Sequence, residues 1–223
     1  MTELTFEQDG AQRFRCALSD SGTADVLSAF AHLPTDVAGI RLSDCLGLQS
    51  TLAASGPVGR IAAGLIGELA QPVRAVLFDK TATTNWSLAW HQDRTIVVRE
   101  RRPAPDYGPW STKAGLIHVQ PPFRILEEMA TLRIHLDDVD DDNAPLLIAP
   151  GSHREGRVAE TDIPGVVARL GTARCIADKG DVWAYATPII HASEVAAAPR
   201  RRRVLQVDYS RRSLDSGLEW LGV

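Results

Sequence analysis

The hydrophobic period of this chain changes near residue 71, and that change limits the folds open to it. Before it, apolar residues recur at helical spacing. Val26, Leu27, Phe30 and Leu33 form one stripe, which stops before Pro34, and Val58, Ile61, Leu65, Ile66 and Leu69 form a second over residues 57–70, ended by Pro72. After it come short β-prone runs at 73–78, 88–98, 131–137, 145–149, 182–185 and 203–209, separated by turn residues. Helices first and many short strands afterwards predict a mainly β sandwich or barrel with the N-terminal helices packed on one side. Residues 103–122 hold five prolines and two glycines together with Tyr107, Trp110 and Lys113. That stretch reads as a long irregular loop and a lid.

The 223 residues fit one domain, with 1–70 as its helical part and 71–210 as its β core. Hydrophobic residues make up 44% and charged residues 23%, an ordinary balance for a globular protein, and no apolar run is long enough to span a bilayer. Cys16, Cys45 and Cys175 are odd in number and far apart, which argues against a disulfide framework or a zinc ribbon and for a cytoplasmic setting. The net charge of −4 argues against a nucleic-acid partner, despite the arginines at 200–203. No membrane partner is expected, and the oligomeric state is not legible.

Chemistry enters at His91-Gln92-Asp93. On a strand, positions i and i+2 point the same way, so His91 and Asp93 can hold one ion together. A distant third imidazole, His191, would complete two histidines and one carboxylate on one face of a metal. That set leaves coordination positions open and suits non-haem Fe(II) chemistry with O2. His91 and His191 lie about a hundred residues apart, so the fold must return a late strand beside an early one, as a jelly roll does. In residues 131–136, Leu132, Ile134 and Leu136 take one face while Thr131, Arg133 and His135 take the other, which faces either water or a polar cavity. Asp79 and Lys80 carry the same ambiguity.

A wider pattern surrounds these residues. Phe78-Asp-Lys, Asn85-Trp, Trp90-His-Gln-Asp, Asn143-Ala-Pro-Leu, Pro150-Gly-Ser-His-Arg, Gly180-Asp-Val and His191-Ala-Ser followed by an arginine occur in this order. Over about residues 70–210 the chain resembles the phytanoyl-CoA dioxygenase family of Fe(II)/2-oxoglutarate-dependent oxygenases. The resemblance implies a double-stranded β-helix (a cupin-like jelly roll), with His91, Asp93 and His191 as iron ligands, 2-oxoglutarate as cosubstrate and O2 as oxidant. It implies Arg202 as the anchor of the far carboxylate, with Arg200 the next candidate by strand alternation, and Ser193 and Arg133 as further cosubstrate contacts. The family's glycines after Asn143 and after the distal histidine are Ala144 and Ala192 here, which leaves the local turn geometry open.

The implied reaction is hydroxylation or desaturation of a small-molecule substrate, with release of succinate and CO2. Lys80, Asn85, Trp90, His135 and Lys113 are candidate cavity or substrate residues, and Trp86 and Trp183 could also wall the site. His32, His118 and His153 are read as ordinary histidines, His153 holding the turn after Pro150. The alternative function is a catalytically silent jelly roll that binds a small carboxylate or metal.

Overall fold

The structure is a computed structural model that describes residues 3–34, 37, 39–43 and 45–223. Its largest sheet has six antiparallel strands in the order β1 (Ala11–Phe14), β11 (Val182–Ala186), β8 (Met129–His135), β13 (Arg202–Ser210), β3 (Gln71–Lys80) and β2 (Gly39–Leu42). A second sheet of four runs β10 (Ala173–Cys175), β9 (Leu146–Ile148), β12 (His191–Ser193), β4 (Leu88–His91). A third joins β5 (Ile96–Val98), β7 (Leu116–Val119) and β6 (Trp110–Lys113). The architecture is a jelly roll, the mainly β fold that the family resemblance implies, with helices on one side as the change of period predicts.

Strand alternation divides the six-stranded sheet into two unlike faces. Leu77, Leu132, Ile134, Val182, Ala184, Leu205, Val207 and Tyr209 point outward into one apolar core. Against them pack helices α2 (Asp20–Ala29), through Val26, and α4 (Pro57–Ile66), through Val58, Ala62 and Ala63. Ser19 caps the start of α2, its Oγ accepting from the Gly22 amide at 3.1 Å. The opposite parity, which includes Arg133, His135, Arg202, Gln206 and Asp208, points inward and is also buried. The polar side of residues 131–136 is therefore buried away from water, and its Arg133 lines a cavity.

Three expectations need correction. The first seventy residues are not purely helical, because β1 and β2 extend the sheet at both edges. The stripe of α4 is also different: Leu69 lies beyond the helix and is exposed, while Gly59, Ala62 and Ala63 are buried. Small residues there permit close approach, and a Cβ at Gly59 would lie 1.9 Å from the Ala53 carbonyl. Finally, residues 103–122 are not one irregular loop. They contain the β6–β7 hairpin, turned by Ala114 (φ 49°) and Gly115 (φ 79°), both in the left-handed region that a two-residue type I′ turn requires. No helix among the described residues is long and apolar enough to cross a membrane.

Candidate metal centre and its cavity

His91 and His191 face each other directly across the β4–β12 pair, their ring centroids 4.3 Å apart. Asp93 follows just past the end of β4. Ligand atoms of His91, Asp93 and His191 all lie within 4.8 Å of one another. Each ring is oriented by its own backbone: Nδ1 of His91 donates to the Ala89 carbonyl at 2.8 Å and Nδ1 of His191 to the Ile189 carbonyl at 2.9 Å. A carbonyl can only accept, so Nδ1 carries a proton in both rings and Nε2 is the nitrogen turned to a metal. Burial pushes His191 down to about 4, with the Asp93 carboxylate opposing it, so the ring is neutral. Burial alone would raise Asp93. His191, Arg74, His91 and Arg133 together outweigh it and hold the carboxyl below its ordinary value.

The middle residue of the triplet is structural, a role that the two-residue spacing alone did not suggest. Gln92 is buried and points the other way, donating to the Gly156 carbonyl at 3.0 Å and the Pro188 carbonyl at 2.9 Å and accepting from the Val158 amide at 2.9 Å. With that side chain fixed, alternation turns His91 and Asp93 to the metal side. The corner after Pro150 serves His191 in the same way, as Ser152 Oγ accepts from the Ile190 amide at 2.8 Å. His153 is packed against the turn at Gly10, where a Cβ would lie 2.2 Å from its ring.

The three residues open on a cavity of about 360 Å³, which Lys80, Lys113, Arg133, Ser193 and Arg202 also line. Its cations are short of carboxylates. Arg200 is paired with Asp140, Arg201 with Asp79 and Arg203 with Asp137. Arg202, 3% exposed, forms no ion pair among the described residues; one amino group donates to the Ala144 carbonyl and its buried Nε has no partner. Burial, then Arg133, pulls it down to about 9. Arg133 donates to Gln206 Oε1 at 2.7 Å, lies 5.4 Å from the Phe78 ring, and also leaves its Nε unpartnered. Lys80 donates to the Trp86 carbonyl at 2.6 Å, Ser193 Oγ at 3.1 Å and the Glu194 carbonyl at 3.2 Å. Burial, then Arg202 and Arg133, lowers it to about 7.

Other expected residues lie elsewhere. Asn85 clamps the backbone of Ala196 from both sides, at 3.0 and 2.8 Å. Trp90 packs against an apolar cluster with Ala149, Val158, Ile163 and Ile190. His135 is buried behind the cavity with both ring nitrogens unpartnered, held neutral by burial and by Arg133, Arg202 and Arg13. Trp183 belongs to the core, whereas Trp86 does wall the cavity. The sequence reading missed Arg41 and Arg74 and set His118 aside, yet all three line the cavity.

The phytanoyl-CoA dioxygenase family model matches residues 50–204, a span that includes both histidines, Asp93 and Arg202. The chain belongs to the phytanoyl-CoA dioxygenase family. Among curated proteins, the L-proline trans-4-hydroxylase of Streptomyces griseoviridis is 30% identical over 110 residues, which cover 38% of this chain and 41% of that relative. EctD from S. alaskensis superposes with a TM-score of 0.68 at 18% identity, covering 98% of this chain and 78% of EctD. It has been solved in its apo form, with bound Fe, and with 2-oxoglutarate and 5-hydroxyectoine. SnoK, a non-heme alpha ketoglutarate dependent carbocyclase from nogalamycin biosynthesis, gives a TM-score of 0.64 at 17% identity, covering 98% of this chain and 85% of that one. At these identities the structural likenesses establish a shared jelly roll.

Proposed function

We propose that this member of the family is an Fe(II)- and 2-oxoglutarate-dependent dioxygenase that hydroxylates or desaturates a small molecule and releases succinate and CO2. The observation that carries the reading is the juxtaposition of two imidazoles and a carboxylate with a buried cationic cluster lacking acid partners among the described residues. The first is a donor set suited to Fe(II), and the second is a receptor for a dianion. Unpartnered Nε groups on Arg133 and Arg202 supply the test of fit, because buried donors are satisfied by something in the working state.

In this assignment His91, Asp93 and His191 hold the metal. Arg202 takes the far carboxylate of 2-oxoglutarate in a two-point grip, which a lysine cannot reproduce. Arg133 and Ser193 flank it, and Lys80 holds Ser193 in place. When bound, Fe(II) with 2-oxoglutarate would couple the oxidative decarboxylation of 2-oxoglutarate by O2, which yields succinate and CO2, to oxidation of a substrate C–H bond. Phe78, Trp86, Leu88 and Leu146 wall the cavity and limit water. The β6–β7 hairpin brings Lys113 to its edge and serves as the lid. We place the enzyme in the cytoplasm with a small-molecule substrate and neither a nucleic-acid nor a membrane partner. Its cavity-lining arginines turn inward, which supports that choice.

Anaerobic addition of Fe(II) and 2-oxoglutarate should produce a weak visible charge-transfer band, and air should then release succinate. Asp93→Ala should lose both. An unchanged band and turnover in that variant would overturn the assignment, and a band without succinate under any substrate would leave a silent binder.

A further inference from the structure

The cavity holds a second group of cations that the cosubstrate does not use. Arg41 on β2 and Arg74 on β3 lie two register steps apart, since Arg41 pairs with Val76. Both line the cavity together with Lys113 and His118. Lys80 and Arg202 are opposite partners at the far end of β3, six residues from Arg74, or about 20 Å along the strand.

These groups are not equally satisfied. Arg74 has an acid partner, Asp208, at 3.3 Å, which is itself held by Thr131 Oγ1 at 3.0 Å. Arg41 has neither an ion pair nor a hydrogen bond among the described residues, and its Nε is buried without a partner. The repulsion between neighbours is also visible, because burial and Arg74 both lower Arg41. With 2-oxoglutarate assigned to Arg202, one guanidinium remains in the same chamber without a counter-charge among the described residues. Its planar fork matches a planar carboxylate. About 360 Å³ is at the small end of ligand sites, roughly 300–1,000 Å³. The cosubstrate must share that space.

We propose that the substrate is a small free acid with a single carboxylate, which is bound by Arg41 with Arg74 beside it, at the end of the cavity away from Arg202. The proposal rests on the dioxygenase reading and narrows its substrate class. Asp208 keeps Arg74 fixed, and Arg41 supplies the charge that recognises the substrate.

The test uses the full chain loaded anaerobically with Fe(II) and 2-oxoglutarate, titrated calorimetrically with a panel of amino, imino and hydroxy acids. Each acid is paired with its primary amide. At least one acid should bind, and its amide at least tenfold more weakly. Arg41→Gln should bring that ratio close to one by weakening the acid and sparing the amide, while Arg41→Lys retains a preference for the acid. Amides that bind as well as acids, or a panel in which no acid binds, would overturn the proposal. If the charge-transfer band of the loaded protein is itself missing, the dioxygenase reading has failed. If the band forms and the acids and amides are indistinguishable, the substrate assignment alone has failed.

Discussion

The two faces of the six-stranded sheet are made by the same strands and have opposite purposes. On the outward face Leu132, Ile134, Leu205 and Val207 meet α2 and α4 in a dry, fully apolar core. On the inward face their immediate neighbours Arg133, His135, Gln206 and Asp208 are also buried, and Arg133 Nε and both His135 ring nitrogens have no partner among the described residues. Burial of apolar area stabilises, whereas burial of an unmatched charge costs stability unless a ligand compensates it. The outward face therefore holds the fold together, and the inward face carries cations, Arg133 and Arg202, without acid partners among the described residues.

The largest effects should separate the faces most clearly. Leu132→Ala, on the outward face, should lower unfolding stability by about 2–5 kcal/mol, as for other buried leucines. Its 2-oxoglutarate affinity should be kept in whatever fraction stays folded. Arg202→Met, on the inward face, should do the reverse. Removing an unpaired buried charge should leave stability equal or higher, while 2-oxoglutarate affinity falls about a hundredfold or more, since losing one side of a buried charge pair costs roughly 2–5 kcal/mol. Urea titration and calorimetry on both variants check this. A destabilised Arg202→Met that still binds 2-oxoglutarate normally would erase the distinction.

A smaller effect probes protonation of the inward face. Lys80 is pulled to about 7, from an ordinary 10.5, by burial and by Arg202 and Arg133. Between those values the free protein leaves it neutral, and an arriving dianion favours the ammonium form. Binding of 2-oxoglutarate should therefore take up a proton, and affinity should decline as pH rises above about 7. The same lowered value means that the folded chain holds fewer protons than the unfolded one in this window, so Lys80's contribution to stability rises with pH there. Affinity and stability thus move in opposite directions. Calorimetry in two buffers of different ionisation enthalpy reads the uptake, and Lys80→Met should remove it. Equal heats in both buffers for the unmodified protein would show that Lys80 is not part of the anion site.

The comparison also explains what the sequence could reveal. His91 and Asp93 were legible because their relation is local, two residues along a strand, and His191 through the ordered motifs around it. Arg202 came only from the family resemblance, with Arg200 the next candidate by alternation. Neighbouring arginines alternate, and Arg201 and Arg203 reach Asp79 and Asp137 on the adjacent elements. Arg41 and Arg74 were not legible. Their placement depends on β2 pairing with β3, and β2 is four residues long with no clear alternation. The β6–β7 hairpin was hidden by its prolines and by its turn. Asn-Gly or Asp-Gly would have signalled a type I′ hairpin, but Ala114-Gly115 puts an alanine where φ must be positive. Asn85 and Trp90 belong to the right motifs, yet their side chains hold backbone and core rather than the cavity.

The smallest effect concerns Ala144, which the resemblance marked as standing in a glycine's place. It has φ 51°, a left-handed conformation that costs an alanine about 1–2 kcal/mol, and its carbonyl accepts from the Arg202 guanidinium. The strain thus lies next to the proposed cosubstrate anchor. Ala144→Gly removes the steric cost but adds backbone freedom to the unfolded chain, so the net gain should be about 1 kcal/mol. The carbonyl position is also set by its neighbours, as Asn143 Oδ1 accepts the Arg200 amide at 3.2 Å. Relief of strain should therefore raise the urea midpoint without changing 2-oxoglutarate affinity. A gain in stability accompanied by weaker binding would show that the strain itself aims Arg202, and that the two faces are less separable than their chemistry suggests.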